Sequence, residues 1–171
     1  MRLRLSPSSL ALALLLAPAL GCFGPKWGTA NPDVGVLTIG PASFAADSGV
    51  VDSVRDKCDV QHELPEAIAK RAKKVPVALA EDTSGAGRAL RLEVTNIFAA
   101  KGGRYSGPKQ ITLHGEIIVG GQTTSSFDVR RGTMRAVGTC KMIDLVNKAI
   151  AKDVGKWLKS PTSGAKLGEL K

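Results

Sequence analysis

Three consecutive segments with alternating apolar and polar residues constrain the fold more than any other feature of the chain. They read "RALRLEVTNIFA", "QITLHGEIIV" and "TTSSFDVRR". The pair Gly120-Gly121 between the last two is typical of a tight hairpin turn. The alternation assigns one face to the core through Leu90, Leu92, Val94, Phe98, Ile111, Leu113, Ile117, Val119, Phe127 and Val129. We therefore expect an antiparallel meander with one apolar and one polar face.

Two further segments have apolar residues at helical spacing. One covers 60–75 and the other covers 140–159, where the lysines lie largely opposite the apolar stripe. Short apolar runs at Val34–Ile39 and Val77–Leu79 favour two additional strands. The predicted fold is α+β, a two-layer sandwich in the order β-α-β-β-β-β-α. Its sheet is mainly antiparallel, and both helices pack on one face.

The first 21 residues have the organisation of a secretory signal peptide. Arg2 and Arg4 precede an apolar run, 10–16, that is too short to span a bilayer. The run ends in Ala19-Leu20-Gly21-Cys22, which resembles the lipobox of bacterial lipoproteins. In that family the chain is cut before the cysteine, whose sulfur is diacylated. The resemblance implies a lipid anchor on Cys22; the alternative is an ordinary signal peptide that leaves Cys22 as a thiol.

Composition divides the rest of the chain into three parts. Residues 22–33 are rich in glycine and proline and predict a lipidated tether, 34–159 form the α+β domain, and 160–171 predict a flexible tail. The anchor would hold the domain close to a membrane. Phe23, rather than Asp, follows the cysteine. By resemblance to enterobacterial lipoproteins, this implies an outer-membrane location facing the periplasm.

The charge of the chain favours anionic partners. The net charge is +9, and removal of Arg2 and Arg4 with the signal peptide leaves +7. An anionic leaflet, an anionic glycan or an envelope protein suits this balance, although lysines scattered for solubility are the commoner explanation of such a charge. The basic residues lack interleaved aromatics, so nucleic acid is not an expected partner.

The two other cysteines, Cys58 and Cys140, predict a disulfide. Two cysteines in an exported domain most often pair, and each of these lies near the start of a predicted helix. A reactive thiol at a helix start and a zinc site with His62 and His114 are the alternatives. The chain has no Cys-x-x-Cys motif and no finger-like ligand spacing. We therefore expect no metal and no cofactor.

The loop "KGGRYSGPK" is the candidate partner-binding segment. Successive glycine amides can form an anion-binding nest, to which basic side chains add charge. The alternative is a flexible hairpin loop without a ligand. The candidate residues are Lys101, Gly102, Gly103, Arg104, Tyr105, Ser106, Gly107 and Lys109.

The sequence contains no recognisable catalytic motif. It lacks Gly-x-Ser-x-Gly and His-Glu-x-x-His. Glu93 and Glu116, on the polar strand face with Arg91 and His114, are conceivable as the carboxylate pair of a small cell-wall glycan hydrolase. Solvated cross-strand pairs are the commoner role of such residues. A non-enzymatic binding or accessory module is therefore the first hypothesis, with the hydrolase and a structural protein coating an anionic leaflet as alternatives.

Three stretches carry a resemblance to a known group of proteins. They are "KCDVQHELPEAIAKRA", "GGRYSGPKQITLHGEI" and "GTCKMIDLVNKAIAKDVGKWL". Together they resemble a family of uncharacterised bacterial envelope lipoproteins. The resemblance covers residues 57–158 and implies an envelope location and a small α/β sandwich, without an established activity.

Overall fold

The computed structural model describes residues 27–99, 107–135 and 138–170. Within them the chain forms eight strands and three helices. The strands are β1 Trp27–Gly28, β2 Leu37–Ile39, β3 Ser43–Phe44, β4 Val77–Ala80, β5 Arg88–Ala99, β6 Lys109–Val119, β7 Gln122–Thr133 and β8 Ala165–Gly168. The helices are α1 Asp52–Arg55, α2 Val60–Arg71 and α3 Thr139–Trp157.

The strands form one mixed sheet in the order β1-β4-β2-β5-β6-β7-β8, with β3 beside β5. The predicted antiparallel meander is present as β5-β6-β7, and Gly120 and Gly121 turn the chain between β6 and β7 with positive φ angles of 56° and 80°. The remaining pairings are parallel. The expectation of a mainly antiparallel sheet is therefore wrong.

The parallel pairings follow from where the helices lie in the chain. Parallel neighbours require a crossover connection, usually a helix. Helix α2 lies between the paired strands β2 and β4, and α3 lies between β7 and β8. Each helix thus belongs to a β-α-β unit at one side of the meander.

Helices α2 and α3 pack on each other and contribute to the same core as the apolar face of the sheet. Phe127 on β7 and Trp157 on α3 meet edge to face with ring centroids 4.7 Å apart. Gly115, opposite Phe127 in the register, leaves the space for this ring, because a Cβ there would lie 2.3 Å from it. The disulfide between Cys58 and Cys140 joins the starts of α2 and α3.

A bulge in β5 changes which aromatic residue faces the core. The register shifts between Val94 and Asn96, so that Thr95 is an extra residue in the strand. Beyond the bulge Ile97 is buried and Phe98 is 51% exposed. The prediction that Phe98 faces inward is wrong, because a single extra residue reverses the alternation.

The tether and tail assignments also need correction. Trp27 begins β1, pairs with Leu79 and packs against the core, so that residues from 27 onward belong to the domain. At the other end β8 pairs with β7, which places Ala165–Gly168 in the sheet rather than in a flexible tail. Both strands are short edge strands, and neither has an alternating pattern long enough to predict a strand.

No helix in the described ranges is both long and apolar enough to cross a membrane.

Candidate functional site

The polar face of the sheet carries a continuous row of hydrophilic side chains across five strands. Neighbouring members are direct register partners, from β3 through β5, β6 and β7 to β8. We call this the polar row; it consists of Ser43, Glu93, His114, Asp128 and Lys166. A second pair, Arg91 and Glu116, lies beside it in the register of β5 and β6. The alternation of each strand explains the row, because the intervening residues face the core.

Hydrogen bonds connect one half of the polar row. Nδ1 of His114 lies 2.7 Å from Oδ1 of Asp128, and Nζ of Lys166 donates to Oδ2 of the same carboxylate at 2.5 Å. Nε2 of His114 lies 3.5 Å from Oε1 of Glu116. The imidazole therefore lies between two carboxylates, and Asp128 lies between the imidazole and the Lys166 ammonium group.

These contacts shift the pKa values of His114 and Asp128. Burial opposes a charge on His114, but hydrogen bonds with Asp128 and Glu116 outweigh it and raise the pKa of the imidazole. Burial also opposes the charge on Asp128, and the hydrogen bonds from Lys166 and His114 outweigh that effect, so that the pKa of Asp128 is lowered. Both shifts favour the charged forms, which makes this half of the row a charged network.

The other half of the row borders a shallow cavity of about 340 Å³. Its lining consists of Ser43, Arg91, Glu93, His114 and Glu116. Arg91 and Glu93 make no ion pair with any residue of the described ranges. A second depression of about 250 Å³ shares Ser43 and Arg91 and extends towards β4. The polar face thus combines a hydrogen-bonded network with a cavity in which Arg91 and Glu93 have no ion-pair partner among the described residues.

The chemistry of the cavity suits binding of a polar ligand. Two carboxylates accept hydrogen bonds from hydroxyl or ammonium groups, and the Arg91 guanidinium can donate two parallel bonds to a carboxylate or phosphate. Glu93 and Glu116 occupy adjacent strands but are diagonal neighbours, because Glu93 pairs with His114 and Glu116 with Arg91. Sequence reasoning had placed all four charged residues on this face, and the structure brings them together around one cavity.

Three members of the row were missed from the sequence. Asp128 alternates outward between Phe127 and Val129, so its position was available from the pattern. Ser43 lies in a two-residue strand and Lys166 in a four-residue strand. No periodic signal in the sequence could have joined these two to the row.

The glycine-rich loop is only partly described. Its residues 101–106 lie outside the described ranges, as does Cys22. Gly107 adopts a φ of +80°, which favours glycine. Lys109, which we expect to add positive charge to the loop, begins β6 and is 0% exposed. Its side chain enters the interior because it alternates in phase with Ile111 and Leu113.

The disulfide removes both cysteine thiols from the zinc alternative. Cys58 and Cys140 are bonded to each other and are not available as thiolates. His62 instead lies 2.7 Å from Asp59 and 3.6 Å from Glu81, on a different element from His114. Over residues 27–99, 107–135 and 138–170 no three potential ligands are arranged to hold a metal ion.

Comparison with known proteins gives similarity at the level of structure alone. No family model and no curated protein matches the chain. The PelC dodecamer from Paraburkholderia phytofirmans aligns with a TM-score of 0.47 and 12% identity over 74% of this chain and 92% of that one. Protein XCC0632 from Xanthomonas campestris, of the DUF330 family, aligns with a TM-score of 0.46 and 12% identity, covering 80% and 94%.

A minor lipoprotein from Acinetobacter baumannii aligns with a TM-score of 0.41 and 12% identity over 74% of this chain and 91% of that one. Lipoproteins thus occur among the structures that this chain resembles. Similarities of this size are too low to argue function from, and the site itself has to carry that argument.

Proposed function

We propose that this chain is a lipid-anchored lipoprotein of the bacterial envelope, and that it acts as a non-enzymatic binding or accessory module through the polar face of its sheet. The single observation that carries the binding role is the cavity beside the polar row. There Arg91 and Glu93 remain without an ion-pair partner among the described residues. The lipobox-like Ala19-Leu20-Gly21-Cys22 supports the anchor.

The location follows from the anchor. We propose that the protein is held in the outer membrane and faces the periplasm, because Phe23 rather than Asp follows the acylated cysteine. The Cys58–Cys140 disulfide agrees with an oxidising compartment such as the periplasm.

The charges of the cavity indicate what it would bind. Carboxylates at Glu93 and Glu116 suit sugar hydroxyls or ammonium groups, while Arg91 suits one carboxylate or phosphate of the same ligand. A cell-wall glycan or its peptide, and an envelope protein that presents such groups, fit this combination. A ligand that carries only negative charge fits less well, because two carboxylates line the cavity.

Isothermal titration of the full chain in detergent with soluble cell-wall fragments tests the binding role. We expect Arg91→Gln and Glu93→Gln each to weaken binding at least about tenfold, the scale of one lost charge-assisted hydrogen bond. Glu63→Gln on α2 is the matched control, since it also removes one carboxylate but lies outside the cavity lining. Equal affinity of all four proteins, or no binding by any of them, would reject the cavity as the site for such fragments.

Glutamine variants of the two cavity glutamates address the alternative of a glycan hydrolase. Glu93 and Glu116 both line the cavity, which is the one observation that favours it. Incubation of purified glycan strands with the chain, followed by mass spectrometry, would detect cleavage. Cleavage that disappears in Glu93→Gln or Glu116→Gln would replace the binding role with a catalytic one.

A further inference from the structure

Helices α2 and α3 run parallel, so that their carboxyl ends lie at the same end of the domain. The Cys58–Cys140 disulfide joins their starts. Near their ends, a Cβ built on Gly155 would lie 2.9 Å from Cβ of Arg71, which shows how closely the backbones approach there. The two contacts fix the relative direction of the helices.

This arrangement gathers basic side chains at one end. We call the exposed cations there the basic end; they are Lys70, Arg71, Lys73, Lys74, Lys152, Lys156 and Lys159. The acidic residues nearest to them in the sequence are already paired: Glu66 with Lys70 at 3.4 Å and Asp153 with Arg131 at 2.7 Å. The basic end therefore carries a strong excess of positive charge.

The opposite end, where both helices begin, carries charges of both signs: the basic residues there are Lys57, Lys141 and Lys148, of which Lys148 pairs with Asp144 at 2.7 Å. Asp59 and Glu63 lie at the start of α2 and Asp144 lies in the early turns of α3. Burial and the nearby carboxylates, Asp144 first among them, raise the pKa of Glu63, as expected where acidic side chains crowd together. Glu81, which follows β4, also reaches this end, since it lies 3.6 Å from His62. The excess of positive charge is thus concentrated at the basic end, whereas charges of both signs lie at the helix starts.

The helix dipole accounts for part of this distribution of charged residues along the helices. Cations in a last turn and acids in a first turn stabilise a helix, but the effect fades beyond the terminal turn. Lys73 and Lys74 follow α2, which ends at Arg71, and Lys159 follows α3, which ends at Trp157. These three cations therefore lie beyond the terminal turns in which the helix dipole acts most strongly.

The direction of the N-terminal strand points its amino end towards the basic end. Strand β1 runs parallel to β4, with Trp27 opposite Leu79. Its amino end therefore faces the start of β4 and the α2–β4 connection, which contains Lys73 and Lys74. Nε1 of Trp27 donates to Oε1 of Glu66 at 3.3 Å, and Lys70 contacts the same carboxylate. The ring of Trp27 also meets that of His62 edge to face, with centroids 5.0 Å apart. Trp27 therefore lies beside the first two turns of α2, and the basic end lies further on in the direction of the amino end of β1.

We propose that the basic end is the surface through which the domain lies on an anionic bilayer. This inference rests on the proposed lipid anchor at Cys22. Only residues 22–26 separate that anchor from β1, a span of at most about 18 Å if fully extended. A tether that continues in the direction of β1 would bring the basic end to the head groups, where basic side chains within a Debye length of about 8 Å are attracted. The polar face and its cavity then stand beside the membrane rather than against it.

Lysine protection on vesicles tests the inference with the natural lipidated protein. The protein is reconstituted on vesicles of phosphatidylcholine alone or with phosphatidylglycerol, treated with an amine-reactive reagent and analysed by mass spectrometry. We expect Lys73, Lys74, Lys156 and Lys159 to react at least about threefold more slowly on the anionic vesicles at low salt. Lys57 and Lys141, which are exposed near the disulfide, are internal controls that react equally on both.

Two double variants with the same net charge distinguish the effect of where the lysines lie from the effect of the total charge. Each basic residue near an anionic surface strengthens the attraction roughly fivefold, so Lys73→Gln with Lys74→Gln should weaken it about 25-fold. We expect this variant to lose the protection of Lys156 and Lys159, whereas the equally charged Lys57→Gln with Lys141→Gln retains it. Equal reaction of all lysines on both vesicles, or equal loss in both variants, would overturn the inference.

The vesicle experiment also separates this inference from the proposed function. A protein without acyl chains would fail to float with pure phosphatidylcholine vesicles, which would reject the anchor. A protein that floats with both vesicle types but shows no selective protection keeps its anchor and loses only the proposed orientation.

Discussion

The two faces of the sheet have different roles, although neighbouring residues of the same strands form both of them. One face packs in the core, and the other is a polar surface. On the core face Leu90, Leu113 and Val129 are 0% exposed beneath the helices. On the other face Glu93, His114 and Asp128 form the polar row, which is only partly buried and borders an open cavity. The core face supplies the burial that drives folding. The polar row contributes little to it, which leaves these positions available for binding.

The largest effect should come from removing the bond that holds the helices over the core face. The disulfide closes a loop with a sequence separation of 82, for which chain entropy gives an upper figure of about 4 to 5 kcal/mol. We expect Cys58→Ala with Cys140→Ala to lower the free energy of unfolding by up to this amount in urea denaturation. The oxidised and reduced forms of the unchanged chain should differ by a similar amount. No difference would show that the bond does not stabilise the core face.

A slightly smaller loss should follow from removing the ring that joins the sheet to α3. Phe127 is 1% exposed and packs on Trp157. We expect Phe127→Ala to cost about 3 to 5 kcal/mol, because a buried cavity replaces the ring. Asp128→Ala, one residue along the same strand, is the matched control. It should cost about 1 to 2 kcal/mol, mainly by removing hydrogen bonds to half-exposed partners.

The pH dependence of stability should reveal the charged network on the polar face. The pKa of His114 is raised in the folded chain, so the stabilisation is fully present below the unfolded pKa of about 6.5 and is lost as pH rises through the folded pKa. After allowance for solvent screening we expect this loss to be below about 1 kcal/mol.

Stabilisation that involves His62 is also lost as pH rises, because the hydrogen bond with Asp59 raises the pKa of His62. The difference between the natural chain and His114→Gln therefore isolates the network. Thermal denaturation between pH 5 and 9 measures it; a natural chain that gains stability relative to His114→Gln as pH rises would contradict the assignment.

The smallest effect on stability is expected at the cavity itself. Arg91→Gln and Glu93→Gln should change the free energy of unfolding by no more than about 0.5 kcal/mol, since neither residue makes an ion pair with the described residues. A loss above about 2 kcal/mol in urea denaturation would show that the polar face serves folding after all.

The sequence predicts the central strands of the sheet, but it does not predict the short strands beside them. Alternation over β5, β6 and β7 predicts the meander and places Arg91, Glu93, His114 and Glu116 on one face, because strand periodicity is a local property. Strands β1, β3 and β8 have only two to four residues and form by pairing with longer neighbours. Such strands have no pattern of their own, so Ser43 and Lys166 could not be assigned to the row.

Single local features of the strands account for the other differences between the sequence predictions and the structure. Because Thr95 is an extra residue in β5, Ile97 rather than Phe98 lies on the core face, and no feature of the sequence predicts that bulge. Lys109 follows the inward phase of β6 although its charge favours solvent. The disulfide was predictable because it needs only two cysteines near two helix starts, whereas the parallel direction of those helices required the topology.

The central claim is that the cavity on the polar face of the sheet binds a ligand. Chemical-shift mapping tests it most directly, with the full chain in detergent titrated with soluble cell-wall fragments. Our account predicts progressive shifts of the amide signals of Ser43, Arg91, Glu93, His114 and Glu116, with the signals of α2 and α3 unchanged. Shifts confined to the helices, or an unperturbed polar face at saturating ligand, would contradict it.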